Sequence, residues 1–166
     1  MTDGEVLTRS DYKKELEANN AIAFVPSGNS MWPILKNKGQ SVVVYKKTER
    51  LKRYDVALYE RANGVFVLHR VIEPILGGYV ICGDSQFTLE KVKEEQVFGV
   101  MAGFYHGTKY IRCTDERYKK KVEKWYKHAK RRKLRLRFFY FRVRVKGFIG
   151  RVFRKTTKKN EQGEKS

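Results

Sequence analysis

The stretch from residue 56 to residue 72 reads VALYERANGVFVLHRVI. Both of its ends are rich in branched and aromatic residues, which favour β-strands because they pack well on a pleated surface. Between the two ends stands Asn63-Gly64, a pair typical of the tight turn that joins antiparallel strands. The stretch therefore predicts a β-hairpin, with strands at residues 56–59 and 65–72.

The alternation of β-rich runs and turn signals continues in both directions. Further β-rich runs lie at residues 21–25, 41–45, 79–81, 97–104 and 109–112. A glycine stands in each of the other breaks, which are Lys38-Gly39, Gly77-Gly78, Gly83-Asp84 and His106-Gly107. Short strands separated by such turns predict a mainly β, mostly antiparallel domain.

A short helix is expected ahead of this domain. Ser10 is a candidate cap for its N-terminus, Tyr12 and Leu16 supply apolar side chains, and Asn19-Asn20 would stop it. The N-terminal segment is therefore expected to be helical rather than extended.

Charge divides the chain near residue 115. Residues 1–116 hold 16 basic and 15 acidic residues, whereas residues 117–159 hold 20 basic residues and one acid, Glu123. The net charge of +19 thus resides in the tail. We expect an N-terminal helical segment at 1–20, a β domain at 21–114 and a basic tail at 115–166.

The tail shows two periodicities. Residues 134–137 and 142–145 alternate apolar and basic side chains, as a strand would. Six apolar residues are instead spaced as on one face of a helix: Leu134, Phe138, Phe141, Val145, Phe148 and Val152. The helix is favoured because residues 123–133 consist largely of good helix formers, although Gly147 and Gly150 weaken its last turns. We expect a basic amphipathic helix.

The composition also limits the compartment and the chemistry. Cys82 and Cys113 are too few for a disulfide framework and lack the spacing of metal ligands. No secretory signal and no apolar run of about 20 residues is found, so we expect a cytoplasmic protein or one that contacts a membrane peripherally. Neither a metal nor another cofactor is expected.

Residues 26–35, PSGNSMWPIL, carry the most specific chemical signal. A nucleophilic serine must stand on a turn where its hydroxyl is accessible and backbone N–H groups can face the developing oxyanion. Around Ser30, Gly28 gives such a turn backbone freedom, and Pro33 prevents it from winding into a helix. The alternative is an ordinary loop, because serine, glycine, asparagine and proline are common turn residues.

This segment resembles the Gly-x-Ser-Met-x-Pro-Thr-Leu box of signal peptidases, with isoleucine in place of the threonine. The resemblance implies that Ser30 is the nucleophile. Ser27 and the backbone N–H of Ser30 are candidate oxyanion donors, and Gly28, Met31 and Trp32 are further candidates for contact with the substrate. Ser27 is equally compatible with a plain turn residue, and Trp32 with the core.

The hairpin contains the second part of the resemblance. Residues 54–59, YDVALY, and 67–72, VLHRVI, resemble the Gly-Asp-Val-Val strand of signal peptidases and the strand that carries their general base. The usual bacterial members have a lysine directly before Arg-Val-Ile, and the matching residue here is His69. Histidine at this position is similar to the archaeal and endoplasmic-reticulum type. Imidazole, with an ordinary pKa near ~6.5, accepts a proton at neutral pH without the desolvation that lysine needs.

Residues 79–85, YVICGDS, resemble the family's Gly-Asp-Asn box, and residues 97–100, VFGV, its closing Val-x-Gly strand. In histidine-type members an aspartate from this region assists the histidine, which implies Asp84 here, with Glu90 as a weaker substitute. A carboxylate that accepts from one ring nitrogen leaves the other free to take the serine proton. The alternative is that Asp84 only organises a turn, since Ser85 stands where the family commonly has asparagine.

The resemblance covers about residues 26–100 and implies the β fold shared by signal peptidases and LexA-type self-cleaving repressors. It also implies a serine endopeptidase that cleaves a peptide or preprotein through an acyl-enzyme, next to small residues. A repressor would need a DNA-binding helix-turn-helix first, and the roughly 20 residues before the β domain are too few. The alternative is an inactive peptidase-like binding module.

The tail suggests a partner. Aromatic residues interleaved with arginine and lysine at residues 117–159 predict contact with an anionic membrane surface. Nucleic acid is the alternative partner, because basic and aromatic side chains also bind phosphates and bases. A helix that packs its apolar stripe on the β domain is the third possibility.

Overall fold

The computed structural model describes residues 12–36, 39–128, 131–138 and 141. In chain order, the elements are α1 (Tyr12–Asn19), β1 (Ala21–Phe24), β2 (Val42–Lys46), β3 (Val56–Glu60), β4 (Phe66–Ile75), β5 (Gly78–Cys82), β6 (Glu90–Lys93), β7 (Val97–His106), β8 (Lys109–Arg112) and α2 (Glu116–Lys127). A single 3-10 turn, Glu94–Gln96, connects β6 to β7. The chain divides into two compact units, Met1–Lys124 and Trp125–Ser166.

The strands of the first unit form one sheet in the order β1-β2-β7-β3-β4-β5-β6, with β8 also paired to β7. Each of these pairings is antiparallel. In the β3–β4 hairpin, Ala57 lies opposite His69 and Tyr59 lies opposite Val67. The predicted mainly β, antiparallel architecture and its central hairpin are thus confirmed.

Seven strands of the sheet correspond to the β-rich runs found in the sequence, and β6 was missed. Its four residues, EKVK, include three charged side chains and a single buried one, Val92. Such a composition gives no strand signal, since edge strands bury few side chains. β6 nevertheless pairs with β5 and brings Glu90 opposite Ile81.

One face of the sheet carries a compact apolar cluster, which consists of Leu51, Ala57, Tyr59, Val71, Tyr79, Ile81, Val92 and Val97. Side chains on the same face of paired strands stabilise a sheet by packing on one another. This cluster lies on the face of β3 and β4 that also carries His69, because residues two apart on a strand point the same way. The candidate base is therefore built into the rigid part of the domain.

Helix α1 ends where the sequence predicted. Asn20 adopts a left-handed backbone conformation with φ of 57°, and its N–H donates to the carbonyl of Leu16 at 3.1 Å. Asparagine tolerates this conformation and therefore closes helices well. The side chain of Leu16 is buried. The predicted cap, Ser10, lies outside the described residues.

Helix α2 belongs in part to the first unit, which extends to Lys124. Tyr118 is buried and its ring packs against that of Phe104, with centroids 5.9 Å apart. Val122, one turn further, is also buried. The first residues of the tail thus behave as part of the core.

In the second unit, residues 131–138 are helical, and so is Phe141. Val145, Phe148 and Val152, which were expected to continue the helix, lie outside the described residues. Among the helices that are described, none is both long and apolar enough to cross a bilayer.

Candidate active site

Ser30 lies in the loop between β1 and β2. The loop turns twice, since the N–H of Trp32 donates to the carbonyl of Asn29 at 3.1 Å and that of Leu35 donates to Met31 at 2.9 Å. Gly28 enters this turn with φ of +89°, a conformation that favours glycine. Ser30 is half-buried, and the three residues before it are exposed. Ser30 thus marks the point at which the chain passes from solvent into the core.

The core holds the second half of this loop. Met31, Ile34 and Leu35 are buried, and Trp32 is half-buried. Met31 was expected to contact the substrate, but its side chain packs inside the domain and leaves little surface for that role. Trp32, Gly28 and Ser27 keep accessible surface next to Ser30. Met31 therefore anchors the loop, and Ser27, Gly28 and Trp32 are the candidate substrate contacts with accessible surface.

A segment that is distant in sequence and contains Ser85 also holds the serine loop in place. The N–H of Ser85 donates to the carbonyl of Ser30 at 2.8 Å, and the Ser85 hydroxyl donates to the carbonyl of Asn29, also at 2.8 Å. The two segments approach so closely that a Cβ at Gly83 would lie 2.8 Å from the Ser30 carbonyl oxygen. Residues 83–85 are thus in direct contact with the serine turn.

His69 projects from the middle of β4 and is only 2 % exposed. Its Nδ1 lies 3.4 Å from the Tyr59 hydroxyl and 3.5 Å from Oε1 of Glu90. Both partners lie at Nδ1, so a general base at this position would act through the other ring nitrogen, Nε2. Within the described part of the chain, no hydrogen bond joins the Ser30 hydroxyl to this ring. A substrate complex would have to bring the two together, as catalytic hydrogen bonds often tighten only when substrate binds.

Glu90 is the centre of a polar network on the same face. Arg61 donates to its carboxylate twice, at 2.8 and 2.5 Å, and the Tyr59 hydroxyl donates at 3.1 Å. Burial alone would raise the pKa of Glu90, but these hydrogen bonds lower it below its usual value. The carboxylate beside His69 is therefore ionised at neutral pH.

The electrostatic environment keeps His69 neutral. Burial lowers the pKa of the imidazole below its usual value, and the negative charges of Glu90 and Asp84 only partly oppose this effect. A neutral imidazole with a carboxylate at Nδ1 has its proton on that nitrogen and a lone pair on Nε2. This is the protonation state that a general base requires.

Asp84 occupies a different position from the one expected. It is completely buried and accepts two hydrogen bonds from Arg70, from Nε and Nη2, each at 2.7 Å. Arg70 also donates to the carbonyl of Tyr54 at 2.8 Å and to the hydroxyl of Tyr118 at 3.2 Å. Arg70 is the neighbour of His69 on β4, so its side chain points to the opposite face. Asp84 therefore acts on His69 through its charge, and the carboxylate at the ring is Glu90.

Elsewhere, the described residues form a cleft but offer no candidate metal site. In the described ranges, no group of three or more histidine, cysteine, aspartate or glutamate side chains is placed to hold a metal ion. A cleft of about 600 Å³ lies near β2, β7 and β8, lined in part by Tyr45, Tyr110 and Lys52. Ser30, His69 and Glu90 are not among its lining residues.

The sequence could have suggested part of what was missed. Arg70 follows the predicted base directly, and a buried arginine needs a carboxylate. Comparison with known proteins adds nothing further, because no model of a known protein family and no curated protein matches the sequence. The geometry of the site thus carries the functional interpretation.

Proposed function

We propose that the protein is a serine endopeptidase with a signal peptidase-like fold and site, in which Ser30 is the nucleophile and His69 the general base. The observation that carries this proposal is the position of His69, a buried imidazole whose Nδ1 lies 3.5 Å from Oε1 of Glu90. A histidine that served only to fill the core would need no carboxylate at this nitrogen.

In the proposed mechanism, the Ser30 hydroxyl attacks the carbonyl of a peptide bond while Nε2 of His69 takes its proton. Glu90 stabilises the imidazolium that forms. His69 then returns the proton to the leaving amine, and water hydrolyses the acyl-enzyme on Ser30 by the same route in reverse. The backbone N–H of Ser30 and the exposed Ser27 are the candidate donors to the oxyanion.

The loop contacts supply the positioning that this chemistry needs. Buried Met31 fixes one side of the serine turn, and Ser85 holds the other side through the carbonyls of Asn29 and Ser30. A rigidly held nucleophile loses less entropy when it reaches the reactive geometry. The buried Arg70–Asp84 pair stabilises the segment that carries Ser85 and is thus a structural element of the site.

The test is cleavage of a peptide library that includes sites with small flanking residues, read by intact mass. The native protein is compared with Ser30→Ala and His69→Ala, and the matched controls are Ser41→Ala and His106→Ala. We expect Ser30→Ala to lose cleavage, His69→Ala to lose about 10²–10⁴-fold in rate, and the controls to retain it.

Two outcomes would count against the proposal. Cleavage by Ser30→Ala at the native rate would remove the nucleophile assignment. A folded native protein that cleaves no peptide but binds members of the library would favour the alternative, an inactive peptidase-like binding module.

A further inference from the structure

Three large apolar side chains of the second unit face solvent. Leu134 is 70 % exposed, Phe138 61 % and Phe141 64 %. Leu134 and Phe138 lie roughly 40° apart on the helical residues 131–138, and Phe141, which is also helical, follows at the three-residue spacing that is typical of the same helical face. We call these three residues the outer stripe.

The outer stripe lies on the opposite side of the helix from the buried side. Leu136 is completely buried and lies roughly 160° around the helix from the stripe. Residues 131–138 therefore have a distinct inner and outer face. An isolated exposed leucine needs no explanation, but a contiguous exposed strip of leucine and phenylalanine marks an interaction surface.

Basic side chains border the stripe on both sides. Arg131 and Arg137, each exposed, lie roughly 60° to either side of it, and Lys133 and Arg135 follow further around the helix. A helix with an apolar strip flanked by cations has the composition of helices that lie in the interface of a bilayer. Lipid phosphates and anionic headgroups complement the flanking charges.

We propose that the outer stripe docks on an anionic bilayer surface, with its three apolar side chains among the headgroups and the flanking arginines on lipid phosphates. Nucleic acid is the weaker candidate, because phosphate binding requires the cations but not three apolar side chains on one helical face. The outer stripe shares no residue with the proposed active site, so the proposal does not depend on peptidase activity.

The test uses the full-length protein and sedimentation with vesicles of phosphatidylcholine, alone or mixed with phosphatidylglycerol, at about 0.1 M and about 1 M salt. We expect binding to the anionic vesicles with a salt-resistant remainder. The triple variant Leu134→Ser, Phe138→Ser, Phe141→Ser should lower the partition coefficient at high salt on the order of 100-fold, because three inserted side chains are lost.

Two further variants separate the contribution of the outer stripe to vesicle binding from that of other exposed apolar side chains and from that of the basic side chains. Leu76→Ser removes a fully exposed leucine from the β4–β5 turn and should leave vesicle binding unchanged. Arg131→Gln with Arg137→Gln should weaken binding at low salt but preserve the salt-resistant remainder, since screening already suppresses the charge contribution at high salt.

Unchanged vesicle binding by the triple serine variant would overturn the proposal. So would binding to DNA oligonucleotides in the absence of any binding to vesicles. Cleavage of a soluble peptide without vesicles should be unaffected by the triple variant. A native protein that binds anionic vesicles but cleaves no peptide would leave this proposal standing and count against the peptidase, and a native protein that cleaves but binds no vesicles would do the opposite.

Discussion

Asp84→Asn is expected to destabilise the fold more than it disturbs the chemistry. The substitution leaves the Arg70 guanidinium in a site where both partners are 0 % exposed, without the carboxylate that neutralises it. Removal of one partner from a buried ion pair costs about 3–5 kcal/mol in the free energy of unfolding. For a chain of this length, each kcal/mol lowers Tm by about 2–4 °C, so the expected loss is roughly 6–20 °C.

Glu90→Gln is the matched comparison. The Glu90 carboxylate keeps 24 % of its side chain accessible, and Arg61 can turn to solvent when the charge is removed. We expect this variant to lose only about 1 kcal/mol of stability. In the proposed mechanism, Glu90 stabilises the His69 imidazolium. The kcat/KM of Glu90→Gln should therefore fall more than that of Asp84→Asn when both variants are assayed well below their melting temperatures.

Denaturant titration, thermal unfolding and peptide cleavage on the same preparations check both variants. The reasoning is refuted if Asp84→Asn unfolds at the native midpoint and loses cleavage while Glu90→Gln cleaves normally. That result would return the orienting role to Asp84.

Four further outcomes are expected. Because burial lowers the pKa of His69, the acidic limb of kcat/KM should have its midpoint below ~6.5, and Glu90→Gln should move it lower still, since a charge that favours the imidazolium is lost. The same shift makes His69 contribute stability that is present above about pH 6.5 and declines as pH falls toward its folded pKa, which denaturant titration across pH would detect. Gly83→Ala should displace the serine turn, because its Cβ would meet the Ser30 carbonyl oxygen at 2.8 Å, and cleavage should fall on the order of 100-fold with the β-sheet circular dichroism retained. Leu16→Ala should lower the free energy of unfolding by about 2–5 kcal/mol, and an unchanged midpoint would contradict the packing of α1 on the sheet.

The sequence predicted strands wherever the local signal was strong, and failed where pairing alone makes the strand. The runs that became β3, β4 and β7 contain several buried valine, leucine or aromatic side chains. β6 depends on its partner β5, because one buried valine gives no periodicity to recognise. Its absence from the prediction mattered, since this strand places Glu90.

The sequence also could not show whether Asp84 or Glu90 lies at the ring of His69. A two-residue turn at Asn63-Gly64 would have paired residues 62 and 65, but Tyr59 lies opposite Val67, which makes the loop one residue longer. A shift of one residue exchanges the partners available on each face of a sheet. Only the observed register shows that His69 shares a face with Tyr59 and Glu90, while Arg70 reaches Asp84 from the other face.

The contact between Ser85 and the serine turn has a consequence for a chain still being synthesised. Asn29 and Ser30 emerge from the ribosome more than fifty residues before the side chain that holds them, since 56 positions separate Ser85 from Asn29. Contacts between such distant segments form late, because the loop between them must close first. A nascent chain that ends before Ser85 carries the proposed nucleophile without the side chain that holds its turn, and one that ends before Glu90 lacks the carboxylate at His69. If the proposed mechanism is right, the growing chain would therefore have no peptidase activity until the ribosome had synthesised Ser85 and strand β6.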